Sequence, residues 1–313
     1  MSNVMQDSAF TKPVIDVQDY KNEPRNYTAE IRQMMHGFGD HSEPLLETAK
    51  IIEEVVLNQM RAIVKKACEV ADMRESHFVS SEDFLFLLRK DKVKLQRLVN
   101  YLKLKEFKTS MYKTLDSDLD PFTDISRDDE TSKTPFMKFL NHIDNTGELL
   151  NDKNLVDHVK HRRSMRIELM TRKMDEARYL EFSKARAVSF ANKNRHKFSD
   201  WVGSAGEFTI TKSGYTVLGY LAYETVAQIV DLAFLVRQDQ NKIYGDSIDR
   251  LRLSYPNPIT YKPYQYPKPI MIKPITPAEV SEALRRYWSP QLEITGPFHR
   301  WTLRKPHMKF LSC

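Results

Sequence analysis

Glycine is scarce in this chain, 9 residues in 313, which argues against an enzyme built on a glycine-rich phosphate loop. The stretches SAGEF and SGYTVLG carry too little glycine and lysine for a phosphate cradle. Cysteine is scarcer still: Cys68 lies within a helical pattern and Cys313 is the last residue. Two cysteines so placed make neither a metal-ligand spacing nor a disulfide framework, and a reducing compartment, cytosol or nucleus, is expected. The opening MSNVMQDSAF has no apolar signal core, and no apolar run approaches the length of a membrane span. His158 and His161 stand three apart with no further ligand spaced nearby. No nucleophile with a base, and no pair of carboxylates in a polar pocket, stands out. Catalytic, metal and cofactor-binding residues are therefore expected to be none, with no small-molecule substrate and no membrane partner.

An excess of one charge is also missing. The 48 basic and 42 acidic side chains leave a net +6, which permits nucleic acid as a partner without requiring it. Alternating β-branched runs are few and apolar residues make up 41%. A mainly helical, all-α chain with a sizeable core is the expectation.

What is present is a repeated phrase. Residues 78–89 read FVSSEDFLFLLR and residues 274–285 read PITPAEVSEALR. In register, Val79 falls on Ile275, Ser80 on Thr276, Asp83 on Glu279, Phe84 on Val280, Leu87 on Ala283, Leu88 on Leu284 and Arg89 on Arg285. Each has an extended apolar residue, a hydroxyl able to cap a helix, and an acid three positions on that completes a capping box.

Each copy closes a longer pattern. In the first, residues 27–39 form a short helix that Thr28 can cap, with Ile31, Met34, Met35 and Phe38 on its apolar face, and Pro44 opens a long one. The long helix carries Leu45, Ala49, Ile52, Val56, Met60, Ile63, Ala67 and Val70 at spacings of three and four. After an acidic, aperiodic stretch and a charged helical region, the order recurs. Residues 191–206 bear Phe198, Trp201 and Val202, FTIT is extended, and residues 213–240 form a second long helix. Its stripe is Val217, Leu218, Leu221, Thr225, Ile229, Leu232 and Val236. A lone helix of about 40 Å with one continuous apolar stripe needs a partner of similar length lying across it. The expected pairing core is Leu45, Ile52, Val56, Met60, Ile63, Phe84 and Leu88 against Val217, Leu221, Thr225, Ile229, Leu232, Val280 and Leu284.

The implied organisation is a loose N-terminus over 1–26, a first helical unit over 27–108, an acidic linker over 109–135 and connecting helices over 136–188. A second unit follows over 189–288, with an insert over 242–275, and then a tail over 289–313. Seven of the fifteen prolines lie between 256 and 277, which favours an extended course there. Tyr255, Tyr261, Tyr264 and Tyr266 in that insert are residues that interfaces favour. The tail, with Phe298, Trp301 and Phe310, is expected to dock on its own domain or on a neighbour.

Short, long, short, written twice, is the helical order of the histone fold, which is stable as a pair. The chain resembles the suppressor-of-Ty histone-fold subunits of the SAGA coactivator. The resemblance rests on FGDHSEPLLETAKIIEEVVLNQM, HFVSSEDFLFLLRKDKVKLQRLVNYL and SEALRRYWSP and covers about residues 24–300. It implies two histone folds in one chain forming an intramolecular pair, each half similar to one member of a TFIID histone-fold pair. It also implies a nuclear, non-enzymatic coactivator subunit among other SAGA histone-fold subunits, one that binds the TATA-binding protein and helps deliver it to RNA polymerase II promoters.

Glu224, Gln228 and Asp231 make a polar stripe on the second long helix and are expected to be exposed. That stripe reads either as a solvated face or as an acidic patch for the basic surface of the TATA-binding protein. The basic residues Lys160, Arg162, Arg163, Arg166, Arg172 and Lys173 read as a solvated helix face or a weak DNA contact. Arg89 and Arg285 suit a helix C-terminus, though cations near paired histone loops can enter a DNA minor groove. Two rival functions are a sequence-independent DNA-binding histone-fold protein and a purely structural scaffold.

Overall fold

The computed structural model describes residues 26–116, 135–144, 147, 156–172, 174–190, 195–203, 206–243, 273–289 and 310–312. Nearly all of the N-terminal segment, and most of the acidic linker, the insert and the tail, lie outside the described residues. The described elements run α1 (Thr28–Gly37), α2 (Leu46–Met73), β1 (Phe78–Val79), α3 (Ser81–Leu87), α4 (Lys92–Asp116), α5 (Pro135–Ile143), α6 (His158–Thr171) and α7 (Glu176–Arg186). They continue with α8 (Arg195–Val202), β2 (Thr209–Ile210), α9 (Lys212–Ile243) and α10 (Pro277–Trp288). The chain is all-α, its described strands being one parallel pair in which Phe78 faces Thr209 and Val79 faces Ile210.

The mutual cover of α2 and α9 is present. Ile52, Val56, Met60, Ile63, Val217, Leu221, Thr225 and Ile229 are fully or almost fully buried in one core, joined by Phe84, Leu88, Val280 and Leu284 from the short helices. The Thr225 hydroxyl stays satisfied there by donating to the Leu221 carbonyl at 2.8 Å. Burying these dozen side chains, the apolar ones at roughly 1.5–3 kcal/mol each, is the main term that holds α2, α9 and the short helices together. Three members of the expected stripes differ. Leu45 is the residue before α2 and is 37% exposed, because its extended backbone turns it out of the helical register. Leu232 is only partly buried, at the edge of the core. Val70 likewise gives way to Ala71 on the buried side of α2.

Both capping boxes form. Ser80 Oγ accepts from Glu82 N at 3.3 Å while Asp83 accepts from Ser80 N at 2.7 Å. Thr276 Oγ1 accepts from Glu279 N at 3.3 Å while Glu279 accepts from Thr276 N at 2.8 Å. Each acid also meets an arginine from the end of its own unit's long helix. Arg74 forks onto Asp83 at 2.9 and 2.8 Å, and Arg237 onto Glu279 at 2.6 and 2.7 Å. Thr28 does not cap α1. Tyr27 occupies that place, and both Tyr27 N (2.7 Å) and the Thr28 hydroxyl donate to Glu53 of α2, so a carboxylate from a neighbouring helix satisfies the end.

Helix α4 carries on to Asp116, past position 109 where the fading apolar period places the linker. No glycine or proline interrupts it before Pro121. Its first half lies antiparallel along α9, with Arg97 reaching Glu224 at 3.0 Å, Tyr101 stacked on Tyr220 and Lys105 donating to Thr216 at 3.4 Å. The end of the tail docks on its own fold. Leu311 is buried, its N–H donates to Gln59 at 3.1 Å, and Tyr287 donates to the Phe310 carbonyl at 2.8 Å. One described helix segment, Lys212–Gln240, has the length and apolarity to cross a membrane, contrary to the expectation that no run would. Its apolarity is used here for burial against α2 and α10.

Candidate partner-binding site

The acidic stripe of α9 is the strongest polar feature of the core helices, and it is not a solvated face. The side chains of Glu224 and Asp231 are 16% and 17% exposed. Helix α6 lies over them. Arg163 donates to both oxygens of Glu224 at 3.1 Å and to Asp231 at 2.6 Å, and Arg166 bonds the other oxygen of Asp231. Arg97 of α4 pairs with Glu224 at 3.0 Å and, at 2.8 Å, with Asp157, the residue that caps α6 by accepting from Lys160 N. Three arginines and three carboxylates thus join α4, α6 and α9. Gln228 lies one turn from Glu224, on the wall of the groove beside this network.

The expected exposure fails for a physical reason. A stripe of polar residues on an apolar helix reads the same whether water or an arginine-bearing helix satisfies it. The partners lie 61 to 127 residues away from Glu224 in sequence, outside the reach of any local pattern. Arg163 was visible only as one member of a basic run. Of the rest of that run Lys160, Arg162 and Arg172 are exposed, Arg166 joins the network, and Lys173 lies outside the described residues.

The electrostatics follow from burial. Desolvation works against the Arg163 charge, but Glu224 and Asp231 more than reverse it and raise its pKa. Burial first, then the Glu224 charge, pushes the Tyr220 phenol up. The arginines also lie on aromatic faces: the Arg166 guanidinium is 4.7 Å from the Phe234 ring centre and Arg163 is 5.9 Å from that of Phe38. Gly39 lets Arg166 through. At φ +109° it has a backbone that favours glycine, and a Cβ there would stand 3.0 Å from Arg166 Nε. Between α6, α7, the end of α1 and α9 opens a groove of about 1100 Å³.

Arg89 and Arg285 are spent locally. Arg89 donates to the Phe86 carbonyl at 2.8 Å and lies 3.9 Å over the Phe86 ring, and Arg285 forks onto Glu282 at 2.6 and 2.8 Å. For Arg89 this is the helix-end use that its position suggests, whereas Arg285 is held by a carboxylate one turn back in its own helix.

Comparison with known proteins adds the following. Residues 25–117 match the family of the transcription initiation factor IID 18 kD subunit. Over 238 residues the chain is 29% identical to the SAGA complex subunit Spt3 of Schizosaccharomyces pombe, covering 71% of this chain and 76% of that protein. Over 307 residues it is 24% identical to SAGA complex subunit SPT3 of Saccharomyces cerevisiae, covering 83% of this chain and 90% of that one. A shorter similarity, 37% over 82 residues, links 26% of the chain to 76% of transcription initiation factor TFIID subunit 13 of Dictyostelium discoideum.

Proposed function

Because the chain belongs to the family of the SAGA subunit Spt3, with a TFIID-type histone fold at its N-terminal end, we propose that it is a non-enzymatic transcription coactivator subunit of a SAGA-type complex. It works in the nucleus, binds the TATA-binding protein and aids its delivery to RNA polymerase II promoters. The observation that carries this reading is that α2, inside the TFIID-type region, closes its apolar stripe on α9 of the same chain. A histone fold ordinarily needs a second chain for that. The C-terminal unit is read as the mate, a second histone fold held at high effective concentration by its covalent link. Other SAGA subunits with histone folds are its proposed neighbours.

Glu224, Gln228 and Asp231 are the proposed contact for the TATA-binding protein, on grounds of charge. The test is a pull-down of purified TATA-binding protein with the full chain, beside Glu224→Lys. Retention by the wild type and loss in the variant supports both the partner and the surface. Retention by both leaves the partner and removes the stripe.

A second reading has an observation of its own. The arginines of α4 and α6 already neutralise the stripe, which suits a scaffold that touches no general factor. No retention by the wild type would favour it. Tight binding to arbitrary duplex DNA, lost steeply between two salt concentrations, would favour a DNA-binding protein instead.

A further inference from the structure

None of the 14 residues of α6 is buried. A short helix of a folded protein is ordinarily held by an apolar face sunk in the core, and here that face overhangs the groove instead. Met165, Leu169 and Met170 line it on the α6 side and Leu232, Phe234 and Leu235 on the α9 side, with Leu169 and Leu235 still 55% and 42% exposed. What seats α6 is charge: Arg163 on Glu224 and Asp231, Arg166 on Asp231, and Asp157 on Arg97. Ion pairs this far from water return little net free energy, since desolvation offsets the attraction. Arg163 Nη2 and Arg166 Nε are buried and make no hydrogen bond to the protein. An element with such a seat opens at lower free energy than the core beneath it.

We propose that α6 is a replaceable occupant of a docking site on α9, and that the same site takes a basic amphipathic helix of a partner protein when α6 lifts. The chemistry of that helix is given by the site. Once α6 has gone, Glu224 keeps Arg97 while Asp231 keeps no ion-pair partner among the described residues, so the incoming helix presents arginine or lysine at positions three apart, as Arg163 and Arg166 do. The apolar wall of Leu232, Phe234 and Leu235 takes the methionine- or leucine-like residues beside them. The proposal rests on the reading of the stripe as a partner site and adds that α6 guards it.

A fluorescent peptide spanning residues 156–172 serves as the probe. It is titrated onto the full chain, wild type and Arg163→Ala/Arg166→Ala, while hydrogen exchange is followed along α2, α6 and α9. In the double variant the α6 amides should exchange at least about tenfold faster with α2 and α9 still protected, and the peptide should bind about tenfold tighter than to wild type. Adding Glu224→Gln and Asp231→Asn should abolish that gain. Amides of α6 as slow as those of α9 throughout, or faster exchange with no gain in peptide binding, would overturn the proposal. So would a variant that dimerises instead, since a second copy would then be the occupant. If Glu224→Lys loses the TATA-binding protein but the peptide gains nothing, the coactivator reading stands and the guard falls. Peptide gain in a chain that ignores the TATA-binding protein gives the reverse.

Discussion

The loop after α2 and the loop before α9 meet by backbone. Thr209 N donates to the His77 carbonyl at 3.0 Å and Thr211 N to that of Val79 at 2.9 Å, so β1 and β2 pair as parallel strands. The stretch leading into α2 and the loop before α10 meet by side chain. Thr48 Oγ1 donates to the Ile275 carbonyl at 2.8 Å, and Ile275 N donates to Asp40 Oδ1 at 2.9 Å. Val79 and Ile275, matched in the repeated phrase, are both fully buried, yet their backbone groups find partners of different kinds. A buried backbone group must be satisfied, but the partner need not be another strand. The backbone solution tolerates changes of side chain. The other is exposed to single substitutions, and one of its acceptors is ionisable.

The arginine clamps sharpen the contrast. Arg237 holds Glu279 and also donates to the carbonyls of Lys273 and Pro274 at 2.7 and 3.0 Å. Arg74 holds Asp83 and donates to a single loop carbonyl, that of Phe78 at 3.3 Å. Arg237→Ala is therefore expected to have the largest effect, about 3 kcal/mol or more in denaturant unfolding, by stranding Glu279 and the half-buried Pro274 carbonyl. Arg74→Ala should cost less, since that arginine is 40% exposed and releases a single loop carbonyl, although it too strands a buried acid, Asp83. Equal losses would break the comparison.

Next comes Gly214, in the first turn of α9 beneath the paired strands. A glycine inside a helix normally gains stability on replacement by alanine. Here an added Cβ would stand 2.9 Å from Ile210 Cγ2 and 3.0 Å from the Val79 carbonyl. Gly214→Ala should lower stability by about 1–3 kcal/mol, with faster amide exchange at Thr211. A thermal melt at or above wild type would show that the strand pair can give way.

Where the meeting is by side chain, Thr48→Val keeps the shape and removes the donor to Ile275. The expected loss is about 1–2 kcal/mol, read by the same unfolding curves.

The smallest effect concerns pH and has opposite signs for two buried acids. Burial raises the pKa of Asp40, against hydrogen bonds from His41 and Ile275, and no hydrogen bond reaches its Oδ2. An acid raised on folding contributes fully below its unfolded pKa, and that contribution is lost as pH rises through the folded value. At neutral pH the Asp40 charge is thus a cost, and Asp40→Asn should match or exceed wild-type stability there and lose the advantage on acidification. For Glu279 burial also raises the pKa, but the Arg237 hydrogen bonds prevail and lower it. Its contribution is present above the ordinary carboxylate range and lost as pH falls through the depressed value. Stability curves of Asp40→Asn and Glu279→Gln against pH should diverge from wild type in opposite directions.

The capped helices and the two apolar stripes were legible because their signals are local. Capping boxes span four residues and apolar stripes repeat every three or four, so Ser80, Asp83, Thr276, Glu279 and most of the α2 and α9 stripes could be read in the chain. The closure of the units was not. Asp40 and Thr48 reach residues 235 and 227 positions away, and nothing in their own neighbourhoods marks them. The same holds at the stripe, where Glu224 and Asp231 look solvated until Arg97 and Arg163 are brought to them by folding.

Native-state hydrogen exchange under rising denaturant tests the mutual cover of the long helices most directly. If each hides only beneath the other, the core amides of α2 around Met60 and of α9 around Thr225 will merge into one opening, with a single free energy and a single denaturant slope. Protection that persists in one helix after the other has exchanged would contradict it.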